Sequence, residues 1–275
     1  MEDTELENEA YIQNLHKGER FAKCYLAYRP NYPQEMFDQI MTYHGRSPRC
    51  GRQLAVDVCC GSGQSTVPLT GCFDQVVGVD ISEDQLLLFP KDSSNLTSRL
   101  SLAEDLSSFS PGTVDLVSIG CSLHWVNVDK FHNEARRILK PGGTYAAYCY
   151  DLETLENAQA DAYVKQLRNG LFKSYLTSKA DIVFGRYKAL NFPFLDIERY
   201  EDLQLCADLT LDEYLGYLKS FHYVNQYHNE HPNDDIVSKI RAKLVQFLQT
   251  DGQDACDIRV KVTWNLFLIL GRNSY

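Results

Sequence analysis

The segment "AVDVCCGSGQST" (residues 55–66) contains the first residues of the chain whose types and spacing suggest chemistry. Small residues in a strand-to-helix turn let a ligand approach the backbone, which predicts a loop for a nucleotide-like cofactor. The adjacent Cys59 and Cys60 suggest a redox or metal site instead. Neighbouring cysteines rarely form a disulfide or share one metal, and no Cys or His stands at ligand spacing. We therefore favour structural thiols and expect no metal.

The spacing of the loop argues against a dinucleotide. The dinucleotide pattern is G-x-G-x-x-G, and here Gly61 and Gly63 fit but Thr66 takes the third position. Asp57 precedes the turn, where its charge would repel a pyrophosphate and suit a cationic ligand. Asp80 ends the next apolar run, and a carboxylate there can accept both hydroxyls of a ribose. These residues predict a positively charged nucleoside without phosphate, such as S-adenosylmethionine.

Apolar runs alternate with helical segments through the first half of the chain. Five runs predict buried parallel strands: "QLAVDVC", "QVVGVD", "RLSLAEDL", "TVDLVSIG" and "TYAAYCY". The segment "DKFHNEARRILK" predicts a helix that ends at "PGG". The final "IRVKVTWNLFLILGR" alternates like an antiparallel strand. We therefore expect an α/β fold with a doubly wound, mostly parallel seven-stranded sheet, Rossmann-like, whose last strand is antiparallel.

Three regions are expected within one structural domain. Residues 1–50 predict an N-terminal helical arm or lid, broken at "YRPNYP" because its two prolines cannot lie inside a helix. Residues 51–150 predict the cofactor-binding half. Residues 151–275 predict the completion of the sheet and a helical cap over the substrate.

Composition and charge limit the classes of function. The net charge is −10 and the basic residues are scattered, which argues against a nucleic-acid or anionic-membrane surface. The acidic start "MEDTELENEAYIQ" is not typical of a signal peptide, and the apolar stretch at 266–270 is too short to span a bilayer. Nine cysteines without a CxxC pair indicate reduced thiols. We expect a cytoplasmic monomer or weak dimer without nucleic-acid or membrane partners.

Five segments in order resemble the motifs of class I S-adenosylmethionine-dependent methyltransferases: "VDVCCGSGQST", "VVGVDIS", "SLAEDL", "VDLVSIGCSLHWV" and "RRILKPGG". The chain looks most like the small-molecule group with a type 11 methyltransferase domain, which includes trans-aconitate and juvenile-hormone-acid methyltransferases. "TLDEYLGYLKSF" and the last strand resemble the cap of that group more weakly. The resemblance implies S-adenosyl-L-methionine as cofactor, S-adenosyl-L-homocysteine as product, and a small-molecule methyl acceptor.

The resemblance also implies which residues contact the cofactor. Asp57 and the loop from Gly61 to Gly63 would hold its methionine portion, with Asp57 acting through water or backbone, and Asp80 would bind the ribose. The adenine would lie among residues that follow the second and third strands: Ile81, Ala103 and Glu104, with Asp105 as the alternative to Glu104.

Five further residues belong to the implied cofactor site. Cys121 and Ser122, after the fourth strand, would lie near the methionine portion. Tyr28 and Arg29 either form a surface turn or lie over the cofactor as part of the lid. Cys59 stands where the family motif usually has its first glycine, and we expect the turn to survive if the φ of Cys59 is negative.

His124 and Trp125 are the candidate catalytic residues, because they follow the fourth strand at the edge where ligands bind. They are either a core pair or a substrate-facing wall with a hydrogen-bond donor. Methyl transfer from a sulfonium is an in-line displacement that mainly needs alignment and exclusion of water. A carboxylate acceptor is ionised at neutral pH, whereas a hydroxyl or amine would be helped by a base such as His124. The favoured reaction is O-methylation of a carboxylate.

Three other functions stay open. A nicotinamide-dependent oxidoreductase is disfavoured by Thr66 and Asp57. A catalytically silent protein that binds S-adenosylmethionine would carry the same motifs. A protein or nucleic-acid methyltransferase is disfavoured by the acidic charge, and by "GCSLHW" at the place of an Asn/Asp-Pro-Pro-Tyr/Phe motif.

Overall fold

One eight-stranded sheet organises the computed structural model, which describes residues 18–49, 51–177, 179–249 and 253–274. In chain order the strands are β1 (Leu54–Val58), β2 (Gln75–Asp80), β3 (Leu96–Leu100), β4 (Val114–Gly120), β5 (Leu139–Tyr150), β6 (Thr154–Leu155), β7 (Leu195–Thr210) and β8 (Arg259–Arg272). Across the sheet the order is β3-β2-β1-β4-β5-β8, and β7 also pairs with β8.

The strands from β1 to β5 pair in parallel, and β8 runs antiparallel to β5 and β7. β1 pairs with β2 on one side and with β4 on the other, so the strand order reverses at β1. Ligands of open α/β sheets bind at the carboxyl edge beside such a reversal. The predicted doubly wound, mostly parallel sheet with an antiparallel last strand is confirmed.

Three local features of the sheet differ from the prediction. The sheet has eight strands and not seven, because the two-residue β6 pairs with β8 at Val262 and Thr263. β3 ends at Leu100, so "LAEDL" forms a turn at the carboxyl edge. β5 includes the Pro-Gly-Gly segment, which forms an irregularity in the pairing with β4. Gly142 has a φ of +78° there, which glycine adopts without steric cost.

Nine helices flank the sheet in the described part of the chain: α1 (Glu19–Tyr28), α2 (Gln34–Gly45), α3 (Glu83–Leu87), α4 (Val128–Ile138), α5 (Ala158–Asn169), α6 (Lys179–Phe184), α7 (Leu211–Lys219), α8 (His222–Glu230) and α9 (Ile236–Leu248). Within the described ranges, none has the length and apolar character that crossing a membrane requires. The predicted break at "YRPNYP" is confirmed, because α1 ends before Pro30 and α2 follows Pro33. The rest of the predicted N-terminal arm, residues 1–17 and 50, lies outside the described residues.

Alternate residues of the central strands pack into two apolar clusters, as period-2 side chains require. One cluster contains Ala55 and Leu116 with the buried side of α2, and the other contains Val56 and Val117 with the buried side of α4. Both faces of the sheet are therefore covered, which leaves the carboxyl edge as the place for a ligand.

A buried polar network ties the cap to the sheet. Nη2 of Arg168 donates to Oε1 of Glu153 at 2.6 Å. The same carboxylate accepts the hydroxyls of Tyr214 and Tyr217 at 3.2 and 3.3 Å. Nε1 of Trp264 donates to the oxygen of Tyr217 at 2.8 Å. The network fixes α5, α7 and β8 relative to the segment that follows β5.

Candidate active site

A cavity of about 600 Å³ lies at the carboxyl ends of β1, β2, β4 and β5. Loops after these strands form one part of its wall, and α1, α6 and the junction of α7 with α8 form the rest. The predicted site residues that line it are Arg29, Cys59, Gly61, Asp80, Ile81, Ala103, Glu104, Cys121, Ser122, His124 and Trp125. Three predicted residues lie outside its lining: Tyr28, Asp57 and Gly63.

The loop after β1 contains three residues with a left-handed backbone. The φ angles are +56° at Cys59, +54° at Gly61 and +90° at Gly63. The condition of a negative φ at Cys59 is therefore not met: the turn forms although cysteine adopts a conformation that favours glycine. A Cβ on Gly63 would lie 2.9 Å from Cδ of Pro90, so packing inside the loop requires this glycine.

Asp57 lies fully buried beneath the loop. Its Oδ2 accepts the hydroxyls of Ser65 at 2.8 Å and Thr66 at 2.6 Å, and its Oδ1 accepts the hydroxyl of Ser118 at 2.6 Å. Burial raises the pKa of Asp57, and these three hydrogen bonds oppose the increase. Thr66 occupies the position of the third glycine in the dinucleotide pattern. Its hydrogen bond with Asp57 thus links the loop to β1. Asp57 acts on the cavity through the loop that it holds.

Asp80 is the carboxylate of the cavity with the most backbone contacts. Its Oδ2 accepts the N–H of Gly61 and its Oδ1 accepts the N–H of Ser82, both at 2.8 Å. Burial raises the pKa of Asp80, and the backbone hydrogen bonds oppose the increase. Each carboxylate oxygen has a second lone pair, so the group can still accept two hydroxyls.

The turns after β2 and β3 form the next part of the wall. Ile81 is partly exposed at the cavity, and Ala103 is buried beside it. Oε1 of Glu104 accepts the N–H of Asn127 at 2.6 Å, which holds this carboxylate at the cavity. Asp105 is exposed and lies outside the lining, so the structure favours Glu104 in the choice that the sequence left open.

The loop after β4 begins at Cys121, whose φ is +48°. Its N–H donates to the carbonyl oxygen of Tyr148 at 2.8 Å and continues the pairing of β4 with β5. Burial acts to raise the pKa of Cys121, but hydrogen bonds with Cys149 and Tyr32 lower it below its usual value. Ser122 follows on the same wall.

Arg29 and Tyr28 have different environments. The guanidinium of Arg29 lies 4.0 Å from the ring centroid of Phe221. It donates to the carbonyl oxygen of Ser220 at 3.2 Å and to the hydroxyl of Tyr150 at 3.4 Å. Tyr28 packs against α7 outside the cavity, whereas Arg29 lines the cavity.

His124 and Trp125 both line the cavity, with ring centroids 4.9 Å apart. Nδ1 of His124 lies 2.8 Å from the hydroxyl of the buried Tyr187. The ring of Trp125 meets His222 edge to face at 5.7 Å. The pair therefore belongs to an aromatic wall that continues into α8.

The adjacent Cys59 and Cys60 both line the cavity as free thiols. Burial raises the pKa of each thiol well above its usual value, which keeps both neutral at physiological pH. Across the ranges that the structure describes, no three His, Cys, Asp or Glu side chains converge as metal ligands would.

The lining residues that were not predicted include Tyr25, Tyr32, Tyr150 and His222. Tyr25 precedes Arg29 by one helical turn, and their cation–π distance is 5.0 Å. The i, i+4 spacing was the signal for Tyr25. Tyr150 ends the fifth predicted strand, and this position was the signal for it. His222 lies in the cap, whose contacts with the sheet are long-range.

Residues 56–147 match the family model of a methyltransferase domain. A Dictyostelium discoideum protein named as a methyltransferase is 27% identical over 92% of this chain and 93% of its own length. A Saccharomyces cerevisiae protein named as an S-adenosylmethionine-dependent methyltransferase is 23% identical over 89% of this chain and 92% of its own length. A solved type II methyltransferase structure from Anaeromyxobacter dehalogenans is 28% identical, with a TM-score of 0.74 over 90% of this chain and 99% of that one.

Proposed function

Since the chain is a class I S-adenosylmethionine-dependent methyltransferase, we propose that it methylates the carboxylate oxygen of a small molecule. The observation that carries this proposal is Arg29, which is the only lysine or arginine among the described residues that line the cavity. Its Nε is buried and has no hydrogen-bond partner among the described residues, so the donors of this guanidinium are only partly satisfied. A guanidinium between aromatic rings suits a planar carboxylate.

Other residues of the cavity and of the loop beneath it fit the methyl donor. Asp80 has acceptor positions for the two ribose hydroxyls, and Asp57 supports the loop that would face the methionine portion. The remaining proposed contacts follow the strand ends: Ile81, Ala103 and Glu104 beside the adenine, and Cys121 and Ser122 beside the methionine portion. In this proposal Arg29 binds the acceptor, and Tyr28 does not belong to the site.

When bound, the donor supplies a methyl group already activated on a sulfonium. The acceptor oxygen forms a bond to the methyl carbon as the carbon–sulfur bond breaks, and that electron pair stays on sulfur. No proton is released, because a carboxylate is ionised at neutral pH. The chain therefore needs to orient the acceptor and exclude water. In this proposal Arg29 holds the carboxylate, and His124 and Trp125 form the wall beside it.

Calorimetric titration with S-adenosylmethionine and S-adenosylhomocysteine tests the donor site. Asp80→Ala should weaken binding of S-adenosylhomocysteine by at least about tenfold, because hydrogen bonds to a charged group are each worth about 1.5–3 kcal/mol. Asp105→Ala is the matched control, because Asp105 is exposed and lies outside the cavity. Failure of the folded protein to bind either ligand would refute the donor assignment.

Methyl transfer is tested with a donor labelled in its methyl group and with carboxylic acids paired with their corresponding alcohols and amines. Mild alkali releases methanol from a methyl ester and leaves methyl ethers and methylamines intact. Arg29→Met should raise the KM for an acid by roughly 10–100-fold through loss of a charged hydrogen bond. Label found only in ethers or amines contradicts the proposal. Binding without turnover would indicate a silent cofactor-binding protein, and label on added proteins a protein methyltransferase.

A further inference from the structure

Two consecutive residues after α6 have a left-handed backbone although neither is glycine. The φ angle is +52° at Arg186 and +58° at Tyr187. Such residues are uncommon because the Cβ crowds the neighbouring peptide, and they persist where surrounding contacts hold them. Strain of this kind concentrates at functional sites.

The contacts that hold this turn come from two strands. Arg186 donates to Oδ2 of Asp151 at 2.7 Å and to Oε2 of Glu201 at 3.0 Å. Arg199 donates to the carbonyl oxygens of Arg186 and Tyr187 at 3.1 and 3.2 Å. The turn is thus fixed to the end of β5 and to β7.

The turn places the side chain of Tyr187 inside the protein. Its ring is fully buried and meets Phe267 edge to face at 5.1 Å. Its hydroxyl lies 2.8 Å from Nδ1 of His124, which lines the cavity. The strained turn therefore leads to a polar contact with His124, a residue of the cavity wall.

The direction of this hydrogen bond follows from the available acceptors. Burial raises the pKa of Tyr187 well above its usual value, so the phenol keeps its proton and must donate it. Its neighbours are Nδ1 of His124 and the sulfur of Cys149. An imidazole nitrogen accepts more strongly than a thiol sulfur, and the Cys149 thiol has two other hydrogen-bond partners, Cys121 and the carbonyl oxygen of Tyr150. The phenol therefore donates to Nδ1.

We propose that Tyr187 is a positioning residue that fixes His124 as the tautomer with its proton on Nε2. His124 then offers the acceptor a hydrogen-bond donor and is not a general base. A hydroxyl or amine acceptor needs a base, whereas a carboxylate needs only a donor to orient it. This tautomer has a consequence for selectivity, which rests on the proposed function. The site selects acceptors that are anionic at neutral pH.

Nitrogen-15 NMR of histidine-labelled protein tests the tautomer without any substrate. Spectra are recorded at about pH 8.5, above the ordinary imidazole pKa of about 6.5. The signals of His124 are those missing in His124→Gln. We expect a protonated Nε2 and a hydrogen-bonded, unprotonated Nδ1. A proton on Nδ1 in the wild-type protein overturns the proposal.

Two matched variants separate this contact from a general effect on folding. Tyr187→Phe should shift the Nδ1 signal of His124 to its unbonded position and change S-adenosylhomocysteine affinity by less than about twofold. Tyr145→Phe removes a comparable buried phenol, 2.9 Å from Nε2 of His132, and should leave the His124 signals in place. An unchanged Nδ1 signal in Tyr187→Phe overturns the proposal. If Tyr187→Phe does not fold, the tautomer of His124 in the wild-type protein still tests the proposal.

The same experiments distinguish this inference from the proposed function. Calorimetry reports the donor site and the labelled product reports the acceptor atom, whereas the NMR signals report only the proton on His124. A protein that methylates acids and carries the proton on Nδ1 would keep its proposed function and refute the role of Tyr187.

Discussion

Replacing Arg168 with methionine would leave the carboxylate of Glu153 buried without its cation. The two side chains are only 5% and 1% exposed, with Nη2 and Oε1 2.6 Å apart. The remaining donors to this carboxylate are the hydroxyls of Tyr214 and Tyr217. Both are neutral groups, so they satisfy hydrogen bonds without balancing the charge.

The magnitude follows from the burial of the pair. Removing one partner of a buried ion pair costs about 3–5 kcal/mol, and the two hydroxyls offset part of it, so we expect Arg168→Met to lower the free energy of unfolding by about 3 kcal/mol. Adding Glu153→Gln removes the stranded charge, and the amide oxygen can still accept a phenol. The double variant should recover about 2 kcal/mol of that loss.

Urea unfolding followed by circular dichroism and tryptophan fluorescence measures these differences. The control is Lys165→Met, which removes an i, i+4 ion pair with Asp161 on the same helix. Lys165 is 47% exposed, so its loss should cost less than about 0.5 kcal/mol. The reasoning fails if Arg168→Met is as mild as Lys165→Met, or if the double variant is as unstable as Arg168→Met alone.

Three further outcomes test other parts of the molecule. Because folding raises the pKa of Asp57, the folded state binds the carboxyl proton of Asp57 more tightly than the unfolded chain does. The stabilisation that comes from binding this proton is lost as the pH rises through the raised pKa. In urea unfolding, the stability of Asp57→Asn relative to wild type should therefore increase as the pH rises above the ordinary carboxyl pKa of about 3.9, and a difference independent of pH would contradict this. A thiol-specific reagent at neutral pH should modify the exposed Cys206 quickly and the buried Cys60 only after unfolding; equal rates would contradict the burial of Cys60. Gly216→Ala would bring a Cβ 2.5 Å from the ring of Tyr28 and should cost about 1–3 kcal/mol in urea unfolding, whereas Gly45→Ala, with nothing within 4 Å, should be tolerated; equal effects would contradict this contact.

The sheet was predictable because its signals are local. Apolar runs of strand length that alternate with amphipathic segments determine parallel strands and crossover helices. The turn with Gly61 and the carboxylate of Asp80 could be found for the same reason, since each directly follows a strand. β6 was missed because two residues carry no periodic pattern, and its pairing depends on Val262 and Thr263 far along the chain.

The side-chain environments of the site were harder to predict, because they depend on distant partners. The position of Asp57 before a turn predicted an indirect role in binding, but not that Ser118 and two loop hydroxyls enclose its carboxylate. The contact of His124 with Tyr187 joins residues 63 positions apart, through a turn in which Arg186 and Tyr187, and not the neighbouring Gly185, have the positive φ angles. Alternation and spacing cannot reveal such contacts, since they contain no information on which loops meet.

In the proposed reaction, an acidic protein must hold an anionic acceptor. Asp80 at the end of β2 and Glu104 after β3 line the cavity and are assigned to the donor nucleoside. Arg29 lies instead among Phe221 and Tyr150, where aromatic rings exclude water and strengthen its field. In the proposed reaction, the positive charge of Arg29 and of the donor sulfonium would attract an anionic acceptor. Local charge at Arg29, and not the net charge of the chain, therefore sets the acceptor class in the proposed reaction.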